Sequence, residues 1–212
     1  MGQTVAELAG RDPELEIVAR CDCGDSIEAG MQLCDVAIDF SAADASEEIC
    51  RLAKQYKRPL VIGTTGHTAG QKSCIEATAA SVPIVFASNF SVGVNALFWL
   101  SRRAAKLLGE NFRVGIVETH HRMKKDAPSG TAKTLAEILK VETHGAEIPI
   151  RSIREGEVVG EHAVTFSGPG EQLELVHKAE SRETFASGAL AAAKWVVNQP
   201  PSLYSMQDVL GL

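Results

Sequence analysis

The sequence predicts an α/β chain in two parts: a doubly wound parallel sheet, then a second α+β domain built on a mixed sheet. Three observations carry this. Up to residue 89, short Val- and Ile-rich runs alternate with stretches of helical spacing. Those runs are almost continuously apolar, as strands buried on both faces are. Beyond Asn89 the order changes to a long helix and then strands separated by tight turns.

Helical spacing opens the chain over 1–10, with Val5, Leu8 and Ala9 on one face, and leads directly into a β-type run at 15–21 (LEIVARC). A doubly wound domain ordinarily starts one step earlier, with a strand and a glycine-rich turn ahead of its first helix. That first strand is missing from the pattern. Further β-type runs occupy 35–40 (DVAIDF), 60–63 (LVIG) and 83–88 (PIVFAS), with helical spacing over 45–56 and 69–80 between them. A long helix over 91–108 follows, apolar at Val94, Leu97, Phe98 and Leu100. Next come a strand over 112–119, a polar loop and a helix over 129–140, then β-type stretches at 148–154, 158–166 and 172–177. Gly168-Pro169-Gly170 folds the last two back on each other as a hairpin. A final helix over 183–198 and the tail 204–212 return to the first domain, with Pro200-Pro201 at the boundary. The expected domains are therefore 1–89 plus 183–212, and 90–182.

Composition limits the function classes. With 212 residues, 45% hydrophobic and 23% charged, the chain is ordinary globular material. A formal net charge of −6 argues against nucleic acid as a partner, because phosphate binding needs a basic surface. It leaves room for a small anion held by a local cluster of cations. Cys21, Cys23, Cys34, Cys50 and Cys74 all lie in the first third. Their odd number and apolar settings suit free thiols of a reducing cytoplasm, and Cys21-x-Cys23 lacks zinc spacing, so no metal site is expected. No apolar run is long enough for a bilayer, and Met1-Gly2-Gln3-Thr4 does not open as a secretory leader. A cytoplasmic protein without a membrane partner is the expectation.

The densest chemistry runs from Glu118 to Thr131 (ETHHRMKKDAPSGT), two histidines and several cations between a strand and a helix. Ser129, after Pro128, suits a helix N-cap, and Gly130 and Thr131 then place their backbone N–H groups at the helix start. Such a helix start attracts carboxylates, and His121 and Lys124 add charge. The plainer reading is a solvated loop and an ordinary cap. Neighbouring strand residues point to opposite faces. Hence either one of His120 and His121 is structural, or the strand ends at Thr119. Three quieter segments follow predicted strands, at the edge where open α/β sheets bind ligands. They are Asp22, suited to ribose hydroxyls, Gly63-Thr64-Thr65-Gly66, and Ala87-Ser88-Asn89-Phe90. Gly, Thr and Ser also make ordinary turns, so their shared position is what marks them.

The run HHRMKKDAPSGTA from His120 to Ala132 resembles the signature of the 4-hydroxy-tetrahydrodipicolinate reductase (dihydrodipicolinate reductase) family. Also similar, in order, are VAIDFS at 36–41, VIGTTG at 61–66, ASNFSVGVN at 87–95, VGEH at 159–162, and His177-Lys178-Ala179 with Arg182 and Thr184-Phe185-Ala186. The resemblance implies a Rossmann-like first domain and a second domain for substrate binding and oligomerisation. It implies NAD(P)H-dependent reduction of 4-hydroxy-tetrahydrodipicolinate to tetrahydrodipicolinate in lysine and diaminopimelate biosynthesis. Hydride would pass to a cyclic imine or enamine dicarboxylate after loss of water, and protonation would make that acceptor more reactive. By resemblance His120 is the proton donor and acceptor, Lys124 a proton donor, and His121, Gly130 and Thr131 substrate-carboxylate contacts. Asp22, Gly63, Thr64, Thr65, Ala87, Ser88, Asn89 and Phe90 are implied cofactor contacts. Met1 joins them, because Met1-Gly2 matches the end of the family's Gly-Arg-Met-Gly loop. NADH is favoured over NADPH, because Asp22 repels a 2′-phosphate and Cys23 and Gly24 offer no cation. A homotetramer formed through the second domain's sheets is the implied assembly. The sequence departs from the family in its missing first strand and in a short connection over 140–148. The rival readings are another two-domain NAD(P)-dependent amino-acid dehydrogenase and a catalytically impaired relative acting as a binding or regulatory subunit.

Overall fold

The computed structural model describes residues 1–212. In chain order it contains α1 (Gly2–Ala9), α2 (Ile27–Leu33), β1 (Ala37–Asp39), α3 (Ser46–Tyr56), β2 (Leu60–Ile62), α4 (Ala69–Ala79), β3 (Ile84–Phe86) and α5 (Val92–Leu108). Then follow β4 (Arg113–His120), α6 (Gly130–Glu142), β5 (Ile150–Arg154), β6 (Gly160–Gly168), β7 (Glu171–Ala179), α7 (Glu183–Val196), β8 (Leu203–Tyr204) and α8 (Met206–Leu210). The chain divides into two units, Met1–Phe90 with Glu183–Leu212, and Ser91–Arg182.

In the first unit the strand order is β1-β2-β3-β8, every pair parallel. The period of two in a strand sorts the apolar run into two faces. Leu60, Ile62 and Ile84 pack with Ile49, Leu52 and Ile75 from α3 and α4. Val61 and Val85 pack on the other side with Ala189, Ala193 and Val196 of α7 and with Phe90. The result is a helix–sheet–helix sandwich, and each such fully buried Leu, Ile or Val contributes about 1.5–3 kcal/mol. Helix α1 joins α7 through Val5, Ala9, Ala186 and Leu190.

One expectation is corrected here, and one element is added. Residues 15–21 form no strand. A strand persists through ladder bonds to a neighbour, and β1 is paired on one side only, with β2. Leu15 and Ile17 pack instead against the α1–α7 cluster, while Val18 is 43% exposed. The unexpected helix α2 is short, starts at a Ser26 cap that accepts from the Ala29 N–H, and buries Gly30 and Met31.

The second unit holds a mixed sheet of order β5-β4-β6-β7, with β4 parallel to β5 and antiparallel to β6. One face buries Ile116, Val164 and Phe166 beneath Val94, Leu97 and Phe98 of α5 and Leu135 and Leu139 of α6. The opposite face carries Val117, Ala163 and Val176 in register and is more open, with Val176 49% exposed. Pro169-Gly170 makes the hairpin turn between β6 and β7. No helix of the chain is long and apolar enough to cross a membrane.

Candidate active site

The buried face of β4 becomes polar at its carboxyl end. Glu118 and His120, two residues apart, share the face of Ile116, and both are buried. Pairing extends the band sideways: Glu118 lies opposite His162 of β6 and Ser152 of β5, His162 opposite His177 of β7, and His120 beside Arg154 of β5. Helix α6 starts against this band. Its cap Ser129 accepts from the Ala132 N–H, its own N–H donates to Glu118 Oε1 at 3.2 Å, and its hydroxyl lies 3.2 Å from His162 Nε2. Arg154 Nη2 also donates to Glu118 Oε1, at 2.9 Å, and to the Asp126 carbonyl.

Glu118 is fully buried. Burial by itself raises its pKa, but hydrogen bonds from Ser129, Ser152 and Arg154 and the neighbouring His120 outweigh it and hold the carboxyl at about 2. It is therefore ionised at neutral pH. His120 Nδ1 approaches Glu118 Oε2 to 3.0 Å, without the alignment of a hydrogen bond. Burial pushes His120 down to about 4; Glu118 pulls upward, and Lys124 and Arg154 add to the depression. His162 is pushed down to about 3, by burial and then by His120, whose ring it meets edge-on with centroids 5.1 Å apart. Lys124 Nζ pairs with Asp126 Oδ1 at 2.8 Å.

His120 stands on β4, so the pleat runs through it rather than ending at Thr119. His121 comes after the strand, half-buried, with its N–H donating to the Val158 carbonyl at 2.7 Å. Gly130 and Thr131 open α6, and Thr131 is buried.

In the first unit, Gly63–Thr65 and Ala87–Phe90 follow the adjacent parallel strands β2 and β3, with the Gly63 N–H on the Asp39 carbonyl and the Ala87 N–H on the Ile62 carbonyl. A Cβ at Gly63 would lie 2.2 Å from the Phe40 ring, so packing alone accounts for that glycine. Thr64 is buried and its hydroxyl has no partner, as is one oxygen of buried Asp39, whose other oxygen takes the Ser41 N–H and hydroxyl. Buried polar atoms are normally paired, so orphans at the carboxyl edge of a parallel sheet fit a polar ligand such as a nicotinamide cofactor. Thr65 is exposed, Ala87, Ser88 and Asn89 are half-buried, and Phe90 belongs to the core. Met1 packs half-buried against the α1–α7 cluster. Asp22 is exposed in a turn, its Oδ1 accepting the Cys23 N–H, and the run before it is no strand.

The family profile described as "Dihydrodipicolinate reductase, N-terminus" matches residues 1–90, and that described as "Dihydrodipicolinate reductase, C-terminus" matches 93–210. The chain belongs to the dihydrodipicolinate reductase family. The 4-hydroxy-tetrahydrodipicolinate reductase of Akkermansia muciniphila is 47% identical over all of this chain and 94% of its own length. That of Syntrophus aciditrophicus is 44% identical over 99% of this chain and 84% of its own length. Among solved structures, dipicolinate-bound dihydrodipicolinate reductase from Paenisporosarcina sp. TG-14 shares the fold, with a TM-score of 0.77 over 98% of this chain and 94% of that one, at 24% identity.

For this member of the dihydrodipicolinate reductase family, sequence reasoning had singled out His120, Lys124, Gly130 and Thr131 but gave no role to Glu118, Ser152, Arg154 or His162. The Glu118-x-His120 spacing was a readable signal for one shared strand face. Arg154 and His162 reach the site through strand pairing, which no local pattern reveals. Glu118, His120 and His162 each offer one donor atom within 4.8 Å of the others. Arg154 and the Ser129 N–H already engage the carboxylate of this trio.

Proposed function

We propose that this chain reduces 4-hydroxy-tetrahydrodipicolinate to tetrahydrodipicolinate with a nicotinamide cofactor, in lysine and diaminopimelate biosynthesis in the cytoplasm. The observation that carries this reading is the start of α6 set against the band of Glu118, His120 and His162, an anion site beside an acid–base group. The first turn of α6 at Gly130 and Thr131 and the helix dipole draw a substrate carboxylate, and His121 adds a donor. With a pKa of about 4, His120 is neutral in the free protein at neutral pH. A dicarboxylate brings negative charge that favours the protonated ring, so the donor becomes charged when substrate is in place. Lys124, restrained by Asp126, supplies a second proton. Gly63–Thr65, Ala87–Phe90 and Met1 hold the cofactor, and Asp22 accepts from its ribose hydroxyls. When bound, the reduced nicotinamide supplies the hydride. NADH is favoured over NADPH, because Asp22 repels a 2′-phosphate. The open sheet face at Val117, Ala163 and Val176 supports a homotetramer built through the second unit.

His120→Gln and Lys124→Ala should each lower kcat by about 10²–10⁴ and leave NADH affinity unchanged. Steady-state kinetics with calorimetric NADH titration checks this, and wild-type turnover in both variants overturns the assignment.

A further inference from the structure

We propose that Glu118, clamped by Arg154 and the Ser129 amide, is a positioning residue for His120. It keeps the proton of the neutral ring on Nδ1 and turns Nε2 toward Gly160 as the reacting nitrogen. The inference rests on reading His120 as the acid–base group.

Glu118 Oε1 is fixed by donors from two separate elements, Arg154 at the end of β5 and Ser129 at the cap of α6. Its rotation is therefore blocked, and Oε2 is left 3.0 Å from His120 Nδ1. Both atoms are buried, and neither has an aligned hydrogen-bond partner. An Nδ1 lone pair would face a carboxylate oxygen at that distance in a poorly screened site, which is repulsive; an Nδ1–H turns the same contact into an attraction. The other nitrogen lies on the side of Gly160, where a Cβ would come 3.2 Å from His120 Nε2. The bare glycine spares the ring that tight contact. His162 packs edge-on against the ring and limits its tilt. His162 Nε2 lies 3.2 Å from the Ser129 hydroxyl and 3.9 Å from Glu118 Oε2, and burial keeps this ring neutral rather than a competing cation. The charged and titratable groups around His120 are Glu118 on its own strand, Lys124 and Asp126 from the loop, Arg154 from β5 and His162 from β6.

Nitrogen-15 NMR of the full chain at neutral pH, with His120 assigned by its loss in His120→Gln, reads the tautomer directly. The expected result is Nδ1–H; a wild-type ring protonated on Nε2 overturns the proposal. Glu118→Gln should lower kcat about ten- to a hundredfold, part of the roughly 10²–10⁴ that a general acid contributes. KM and NADH affinity should stay within about threefold, and Glu118→Asp should recover part of the rate. Because Glu118 raises the His120 pKa, its loss should move the basic limb of the kcat profile to lower pH. Gly160→Ala should lower kcat while NADH affinity holds. Wild-type kcat in Glu118→Gln overturns the proposal. A wild type inactive on the dicarboxylate overturns the functional reading instead, and the tautomer then still decides this one.

Discussion

At Gly188 two effects of opposite sign meet in one residue. It sits inside α7, where alanine is favoured over glycine by about 1 kcal/mol. A Cβ there, however, would lie 1.8 Å from the carbonyl oxygen of Phe90, a backbone atom with little freedom to retreat. Overpacking of this kind costs about 1–3 kcal/mol or more, so the clash wins. Gly188→Ala should lower the urea midpoint of the first unit; a raised midpoint would mean that α7 does not rest on Phe90. The same scale shows what a sequence reveals. The two histidines at 120 and 121 were plain to see, and alternation alone limited them to opposite faces or a broken strand. Which of them faces the carboxylate was settled by a pleat that continues one residue further than expected.

Among the elements, α6 depends on its first residue more than on its propensity. Ser129 satisfies the Ala132 N–H, and its own amide and hydroxyl engage Glu118 and His162. Ser129→Ala should cost about 0.5–2 kcal/mol of stability from the cap, and KM for the dicarboxylate should rise together with it. Denaturation and steady-state kinetics on the same sample check the pairing, and a change in neither breaks the link between cap and site. Element positions were largely legible because periods of 2 and 3.6 are local properties. The run at 15–21 has strand composition yet is no strand, because pairing is a property of two segments and no strand pairs with this one. Helix α2 was illegible for the opposite reason: seven residues held by one cap give too little periodicity to notice.

For the molecule as a whole, three buried groups tie stability of the second unit to pH with one sign. His120 and His162 are neutral when folded but take up protons once unfolded, so each withdraws stability as pH falls below about 6.5. Glu118 is ionised when folded, and its contribution is lost as pH falls from about 4.5 toward 2. Unfolding of the second unit should therefore be independent of these groups above pH 7 and become easier from 6.5 downward, Glu118 joining below 4.5 while His120 drops out near 4 and His162 near 3. Trp99 on α5 reports this by fluorescence once Trp195 is replaced by Phe. A unit that grows more stable between pH 7 and 5 contradicts the assignment.

The first unit takes its core from both ends of the chain: Val61 and Val85 come early, while Ala189, Ala193 and Val196, which cover them, lie on α7. On the ribosome the strands emerge first, at about 5–20 residues per second, and that side of the sheet stays wet until translation has passed the whole of Ser91–Arg182. The inserted segment, whose strands β4 to β7 pair only with one another, has all its sheet partners in hand before then. The part of the protein read second is thus the part that can finish first, and the nascent N-terminal sheet is the stretch that most needs a chaperone's cover.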